Sequence, residues 1–326
     1  MPSRRIHDEE QSGGQTAVLP RTPLTNVDGV WVKMEHLNPS GSVKDRVATH
    51  VLGRGLEDGS LPPGSEVVEP TSGNAGIALA FWAVRLGLKA VVFMPENMTE
   101  ERKRIIRGHG ARLVLTPESD GVVGAIRRAR EYAGERPGRF LFDQFDDEAG
   151  VEGQAALGRE ALEQAGEQGI GPFDLVVAGV GTGGTIIGAG GAIKARHPRT
   201  RLIAVEPEAS PLVCRQLFSR VCPPPALPPL RDYPMAVCHL QEGIGDGLVP
   251  GIVRRHRHLL DDAVLVSDQE AHEETLRLNR AGFPVGPSSG TNMTVARRLA
   301  AGGATVLTFF PDRMDRYRSL PEFKDL

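Results

Sequence analysis

Residues 174–191, "DLVVAGVGTGGTIIGAGG", join a short apolar run to a glycine-rich turn and then to a second apolar run. The first run has the branched side chains of a buried strand, and the second run is long enough to begin a helix. Backbone N–H groups at the start of such a helix converge on one point and bind phosphate well. The stretch therefore predicts a strand, turn and helix that carry a phosphate site in an α/β protein.

Strand-like and helix-like segments alternate on both sides of this unit. They include "EVVEP" at 66–70, "NAGIALAFWAVRLG" at 74–87, "KAVVFMP" at 89–95 and "RLIAVEPE" at 201–208. Alternation of this kind requires crossover connections, which are typical of parallel sheets. A chain of 326 residues is also longer than one hydrophobic core usually covers. We therefore expect an α/β fold with two open, mainly parallel twisted sheets, one in each lobe, and flanking helices.

The composition excludes several classes of protein. The formal net charge is −3, and Arg102 and Lys103 follow Glu100 and Glu101, so we interpret this stretch as a solvated helix face rather than a nucleic-acid surface. No uncharged apolar run reaches the ~18 residues of a membrane-spanning helix, and residues 1–20 lack the apolar core of a signal peptide. The three cysteines form no CxxC pair, which predicts neither a disulfide framework nor a metal site. A cytoplasmic protein without nucleic-acid or membrane partners fits these features.

Two segments depart from the alternation. Residues 1–15 combine charge with Gly and Ser and show no period, so we predict a flexible leader. Residues 211–240 include "CPPPALPPLRDYP", which contains too much proline for a helix or an inner strand. We interpret this second segment as an extended connection over the surface.

The glycine turn by itself leaves three interpretations open. Residues 179–184 have the GxGxxG spacing of a dinucleotide site, and Glu206 lies about twenty residues on, where a ribose-binding acid is expected. Thr182 and Thr185 add hydroxyl groups to the N–H donors, which suits a compact phosphate monoester equally well. The turn can also serve only to pack a helix closely on a strand. It is not a P-loop, because no Gly-Lys-Ser/Thr follows.

Lys44 is the first candidate for chemistry outside the turn. In "KMEHLNPSGSVKDR", residues 33–46, it follows a Pro-Ser-Gly-Ser turn at the expected start of a helix. The positive potential of a helix N-terminus disfavours an ammonium group, and burial would add to that effect, so the amine becomes available as a nucleophile. A lysine in a turn is more often simply solvated, so Lys44 needs support from the rest of the chain.

A set of motifs spread over the chain gives that support, because together they resemble the fold-type II, pyridoxal-phosphate-dependent family of cysteine synthase (O-acetylserine sulfhydrylase) and cystathionine β-synthase. The matching pieces are "RTPL", "KMEHLNPSGSVKDR", "EPTSGNAGIALA", "FMPENMTEERKRIIRGHGARLVLTP", "AGVGTGGTIIGAG", "AVEPE", "EGIGDGLVP", "GPSSGTN" and "TFFPDRMDRY". They occur in the family's order from about residue 20 to residue 318.

The resemblance implies pyridoxal phosphate as the cofactor and assigns a role to each matching residue. Lys44 would form the internal aldimine and then act as the general base for the Cα proton, Asn74 would bind the ring hydroxyl oxygen, and Ser288 would face the pyridine nitrogen. The full set of cofactor residues is Lys44, Asn74, Gly181, Thr182, Gly183, Gly184, Thr185 and Ser288. The substrate-binding set is Thr71, Ser72, Gly73, Asn74, Gln144 and Gly243.

The resemblance also implies a division of the chain and an assembly. An N-terminal α/β domain, 40–150, would carry the Schiff-base lysine and the substrate carboxylate loop. A C-terminal α/β domain, formed by 16–39 and 151–326, would carry the phosphate loop. The partners would be a small amino acid substrate, a small nucleophile and a second copy of the chain in a homodimer.

The implied activity is β-replacement on an O-activated L-serine, such as O-acetylserine or O-phosphoserine, through an aminoacrylate. Sulfide would be the nucleophile and L-cysteine the product. A hydroxyl such as that of Ser288 leaves the pyridine nitrogen unprotonated, which favours elimination and replacement over racemisation. A serine or threonine dehydratase and a catalytically inactive binding subunit remain as alternatives.

Three departures from the family pattern bear on specificity. Ala75 stands where cysteine synthases usually have Thr, Asp246 follows "EGIG" where a small apolar residue is common, and the proline-rich 211–240 segment is unusual. A carboxylate at position 246 would attract an amine or repel an anion. The alternative products are therefore 2,3-diaminopropionate from an amine and cystathionine from a larger thiol.

Overall fold

The computed structural model describes residues 18–71, 73–142, 144, 146–218, 239–324 and 326. The predicted leader and the predicted substrate residue Ser72 lie outside the described residues. The strands of the described part are β1 (Leu24–Val27), β2 (Val30–Lys33), β3 (Glu66–Pro70), β4 (Lys89–Pro95), β5 (Arg112–Thr116), β6 (Arg139–Leu141), β7 (Leu175–Gly179), β8 (Arg201–Pro207), β9 (Asp262–Val266) and β10 (Val306–Phe309). Its helices are α1 (Lys44–Glu57), α2 (Asn74–Arg85), α3 (Glu100–Gly108), α4 (Gly121–Gly134), α5 (Glu148–Glu167), α6 (Gly191–Arg196), α7 (Leu212–Phe218), α8 (Gly251–Arg255), α9 (Asp268–Arg280) and α10 (Pro287–Ala300).

The strands form two sheets, and both are mainly parallel. The smaller sheet has the order β5-β4-β3-β6, with parallel neighbours throughout. The larger sheet has the order β1-β2-β10-β7-β8-β9, and among its described pairs only β1 and β2 run antiparallel. The central strands β4 and β8 are buried along almost their whole length, because helices cover both faces of a parallel sheet. The predicted α/β architecture with two sheets is confirmed.

The two sheets draw their strands from different parts of the chain. Strands β3 to β6 follow one another in the first half of the chain and form the smaller sheet. Strands β1 and β2 precede them but belong to the larger sheet, because β2 pairs with β10. The carboxyl ends of β3 and β7 lead into the "TSGN" loop and the glycine turn, respectively. Ligands of open α/β sheets bind at such ends. The domain boundaries at 39/40 and 150/151 stay a prediction.

A buried ionic cluster joins α1 to the larger sheet and to α5. Arg46 donates to Glu35 Oε2 over 2.6 Å and to Glu160 Oε2 over 2.9 Å, while Lys33 Nζ lies 2.6 Å from Glu160 Oε1. Removing one partner of a buried ion pair typically costs about 3–5 kcal/mol. The cluster therefore fixes α1, and with it Lys44, against the C-terminal part of the molecule.

The structure corrects two expectations about individual segments. The 211–240 segment begins with a helix, α7, because Val213 and Leu217 share a face that is buried in the core of the larger sheet and the proline run starts only after the helix ends. The remainder of that segment, up to residue 238, lies outside the described residues. No disulfide was expected, yet Cys214 is disulfide-bonded. Among the helices that the structure describes, none combines the length and the apolar character needed to cross a membrane.

Candidate active site

Lys44 and the glycine turn lie side by side, although they are far apart in the sequence. Lys44 is the first residue of α1, and its Nζ donates to Thr182 Oγ1 over 3.2 Å. The same hydroxyl oxygen accepts from the Gly184 N–H over 3.3 Å. The structure thus brings the predicted nucleophile and the predicted phosphate turn to one point.

The glycine turn leaves no room for side chains. A Cβ on Gly181 would lie 2.7 Å from the carbonyl oxygen of Gly243. Gly183 has a φ of +82°, and a Cβ there would overlap Cγ2 of Val253. Thr185 then opens a π-helical segment, Thr185–Gly190, which leads into α6. The result is a close-packed turn at a helix N-terminus, a position that favours the binding of an anion.

The electrostatic environment of Lys44 favours a neutral amine. Burial lowers the pKa of Lys44, and the carboxylates of Asp246 and Glu69 oppose this shift. Burial raises the pKa of Asp246, and here the Lys44 ammonium is the opposing charge. Oδ2 of Asp246 lies 3.4 Å from the Cβ position of Gly181, so this carboxyl borders the glycine turn. An amine with a lowered pKa can act as both nucleophile and base near neutral pH.

The "TSGN" loop joins β3 to α2. Thr71 is buried, its N–H donates to the Phe93 carbonyl on β4, and its Oγ1 accepts from the Gly73 N–H over 3.0 Å. Asn74 is the first residue of α2. A Cβ on Gly73 would lie 2.7 Å from Nε of Arg102. The first N–H groups of α2 have no partner within the helix, so the loop offers donors to a carboxylate.

The other predicted residues surround the same space. Gln144 is buried, and its Nε2 donates to Glu69 Oε1 over 2.6 Å, while its Oε1 has no hydrogen-bond partner among the described residues. Ser288 is buried near the start of α10. Gly243 has a φ of +92°, and a Cβ there would lie 4.0 Å from Ser288 Oγ and 3.8 Å from the Tyr317 hydroxyl.

The prediction for α3 is wrong at two positions. Arg102 and Lys103 were expected on a solvated face, but both are buried. Arg102 Nη1 lies 2.9 Å from Glu242 Oε2, and its guanidinium stands 4.9 Å from the centre of the Tyr317 ring. Lys103 Nζ donates to the Glu96 carbonyl oxygen. Charge alternation along α3 does not show which face packs against the "TSGN" loop and the C-terminal segment.

Sequence reasoning also missed the residues that contact Asn74. Its Nδ2 donates to Asp312 Oδ2 over 2.6 Å, and its Oδ1 accepts from Arg316 Nη1 over 2.7 Å. Both partners belong to "TFFPDRMDRY", which matched the family as a motif but carried no assigned role. The motif was a usable signal, but its contacts could not be read from the sequence.

Glu206 does not have the geometry that a dinucleotide site requires. Its two carboxylate oxygens accept from the N–H groups of Val213 and Cys214, each over 2.8 Å, at the start of α7. Burial raises the pKa of Glu206 to about 7. The carboxylate is therefore committed to the helix terminus and is not directed at a ribose.

Comparisons with known proteins identify relatives that match most of the chain. Residues 10–312 match the family model described as pyridoxal-phosphate dependent enzyme. A cysteine synthase from Staphylococcus aureus is 38% identical over 315 residues, which cover 95% of this chain and 94% of that protein.

Two solved structures share the fold over most of their length. An O-acetylserine-dependent cystathionine β-synthase from Helicobacter pylori has a TM-score of 0.81 at 33% identity and covers 93% of this chain and 96% of its own. An O-ureido-L-serine synthase has a TM-score of 0.81 at 32% identity, with 94% and 93% covered. The chain therefore belongs to the pyridoxal-phosphate-dependent enzyme family, of fold type II, that contains the cysteine synthases.

Proposed function

We propose that this protein makes an L-amino acid by β-replacement, from an O-activated L-serine and a small nucleophile, with sulfide giving L-cysteine. One observation carries the proposal: the amine of Lys44, with a pKa lowered by burial, lies against the glycine-threonine turn. The activated serine would be O-acetylserine or O-phosphoserine. The similarity to a cysteine synthase over almost the whole chain supports this chemistry.

The residues of the site fit pyridoxal phosphate. The turn at 181–185 supplies a helix N-terminus and closely packed glycines, which suit its phosphate group. Ser288 is buried beside Gly243, and within the described residues its hydroxyl has no hydrogen-bond partner, so it can serve a ring nitrogen. Asn74 presents an amide, and Lys44 would hold the cofactor through Nζ.

Bound pyridoxal phosphate supplies an electron sink for the bonds at the substrate Cα. Lys44 would accept the Cα proton, because burial lowers the pKa of its amine and the amine stands at the edge of the phosphate turn. Thr71 and the N–H groups at the start of α2 would bind the substrate carboxylate, together with the second amide proton of Gln144. These donors would orient the substrate.

Asp246 favours a second candidate within the same chemistry. Its carboxyl borders the glycine turn; burial raises its pKa, and in its ionised form it presents negative charge to a nucleophile that approaches there. Such a charge disfavours the hydrosulfide anion and favours a cationic or neutral nucleophile. Under this candidate an amine replaces sulfide and the product is 2,3-diaminopropionate.

A substrate screen tests the proposal directly. Purified protein, reconstituted with pyridoxal phosphate, is given O-acetylserine, O-phosphoserine or serine together with sulfide, ammonia or homocysteine. We expect a visible cofactor band that changes on addition of an activated serine, and a new amino acid that forms only when a nucleophile is present. Release of a 2-oxo acid without nucleophile would instead show a dehydratase.

Borohydride reduction followed by peptide mapping identifies the covalent attachment point. We expect the adduct on Lys44 and none in Lys44→Ala, while Lys89→Ala, which replaces an exposed lysine, behaves as wild type. An adduct on another lysine, or none, would contradict the proposal. We also propose a cytoplasmic homodimer, and light scattering during gel filtration tests the dimer.

A further inference from the structure

The side-chain amide of Asn74 is held from both ends. Its nitrogen donates to the Asp312 carboxylate over 2.6 Å, and its oxygen accepts from the Arg316 guanidinium over 2.7 Å. A guanidinium can only donate, so the Asn74 atom that faces Arg316 must be the amide oxygen. The two orientations of the amide are therefore not equivalent here. The observed one leaves the second N–H of Asn74 without a partner among the described residues.

Arg316 reaches a second segment of the site at the same time. Its Nη2 donates to the carbonyl oxygen of Ser40, four residues before Lys44. The side chain is 2% exposed, and a Cβ on Gly41 would lie 2.6 Å from Nη2. Gly41, which has a φ of +87°, thus makes room for the guanidinium. One arginine holds the loop that precedes Lys44 and the amide of Asn74 at a fixed separation.

Asp312 connects this pair to a third segment. Its backbone pairs with Ser42 in an antiparallel bridge, and its carbonyl oxygen accepts from the Gly286 N–H over 3.0 Å, two residues before Ser288. A Cβ on Gly286 would overlap Oδ1 of Asp312. Residues 312–317 therefore contact the three segments that carry Lys44, Asn74 and Ser288, the groups proposed to bind the cofactor ring and to form its linkage.

Tyr317 completes the arrangement. Its hydroxyl donates to the same Asp312 oxygen that accepts from Asn74. Burial raises the pKa of Tyr317, so the hydroxyl keeps its proton and remains a donor. Buried charged side chains such as those of Asp312 and Arg316 are weak evidence for a role in stability, because apolar residues of similar volume often serve as well. The contacts with three site segments point instead to a role in positioning.

We propose that Arg316 and Asp312 are positioning residues that fix the amide orientation of Asn74, so that its free N–H faces the ring oxygen of the bound cofactor. This inference rests on the proposed function. Among the described residues, the Arg316 side chain donates to Asn74 Oδ1 and to the Ser40 carbonyl oxygen, and its effect on the cofactor ring passes through Asn74. Loss of Arg316 should change the pKa of the bound cofactor, because that pKa depends on the hydrogen bond that the ring oxygen accepts from Asn74.

A double-mutant cycle tests this role. The variants are Arg316→Gln, Asn74→Ala and both together, with Arg318→Gln as the matched control, since Arg318 lies two residues away and is exposed. The readouts are the dissociation constant of pyridoxal phosphate and the pH at the midpoint of the change in its visible absorbance. We expect R316Q to weaken binding about tenfold, as loss of a charged hydrogen bond does, and to move the midpoint. R318Q should leave both unchanged.

The cycle separates positioning from general support of the fold. If Arg316 acts through Asn74, R316Q adds no further shift of the midpoint in the Asn74→Ala background. Equal shifts in both backgrounds, or an unchanged midpoint in R316Q, would overturn the inference. If R316Q does not fold, Arg316→Lys takes its place, because it keeps the charge but has only one nitrogen for two acceptors. A wild-type protein that binds no cofactor would overturn the proposed function instead.

Discussion

The glycine turn at 179–185 and the C-terminal segment 312–317 face the same site but differ in the size of their side chains and in the hydrogen bonds that those side chains make. The turn is made of small residues, and the side chain beside it, Lys44, is partly buried with its pKa lowered. In the 312–317 segment, the Asp312 carboxyl accepts a hydrogen bond from the Asn74 side chain, and the Arg316 guanidinium donates one to it. From this comparison we expect the first region to bind the cofactor phosphate beside the reactive amine of Lys44. We expect the second region to hold Asn74 and the loop before Lys44 in position.

The largest effect on cofactor affinity is expected from a substitution of Gly183 in the first region. Gly183→Ala places a Cβ in a left-handed conformation and against Val253. Backbone strain of ~1–2 kcal/mol adds to overpacking of ~1–3 kcal/mol, so we expect about a hundredfold weaker binding of pyridoxal phosphate. Titration of the apoprotein with cofactor, followed by absorbance, measures it.

Two further variants separate the steric part of that loss from the conformational part. Gly183→Ala combined with Val253→Ala should recover about tenfold in affinity, since the second change removes the overlapping methyl group. Gly303→Ala has the same kind of φ, +85°, with open space around it. It should lose ~1 kcal/mol of stability with unchanged cofactor affinity. Failure of the Val253 change to rescue binding would show that the turn is not held as described.

Local pattern accounts for much of what the sequence predicted in the first region. The strand, glycine turn and helix follow one another directly, so their periodicity and composition are enough to predict these elements, with a phosphate monoester site as one of three interpretations of the turn. That Lys44 faces this turn depends on a contact across 138 positions, and only the resemblance to a known family predicted it.

The second region shows where such reasoning ends. Arg316 contacts Asn74 across 242 positions and Ser40 across 276, and no local pattern encodes either pairing. Arg102 was assigned to solvent for a related reason. Its helix has charges on every side, and only the packing of the "TSGN" loop and Tyr317 against one face decides which arginine is buried.

A smaller effect is expected at Asp246, which borders the first region but carries a charge. Asp246→Asn removes the negative charge beside Lys44 and the glycine turn. We expect kcat/KM for sulfide to rise about tenfold relative to that for ammonia, a change of about 1.4 kcal/mol in relative barrier height. Competition between the two nucleophiles, with both products quantified, gives the ratio. Glu208→Gln removes the same charge from an exposed position and should leave the ratio unchanged; equal effects of the two variants would count against a specificity role for Asp246.

The smallest expected effect concerns the free energy of unfolding of the apoprotein and its dependence on pH, which Lys44 should influence. Burial lowers the pKa of Lys44 in the folded protein, so below its ordinary value the unfolded chain binds more protons than the folded one. Stability then rises with pH across the interval that ends near the ordinary lysine pKa of ~10.4. Lys44→Met should therefore stabilise the apoprotein at pH 7, by an amount of the order of 1 kcal/mol, and this gain should shrink as the pH approaches 10. Urea unfolding at several pH values measures the difference, with Lys89→Met as the exposed control. A destabilised Lys44→Met at pH 7 would mean that the amine is well paired in the folded protein, and would contradict this prediction.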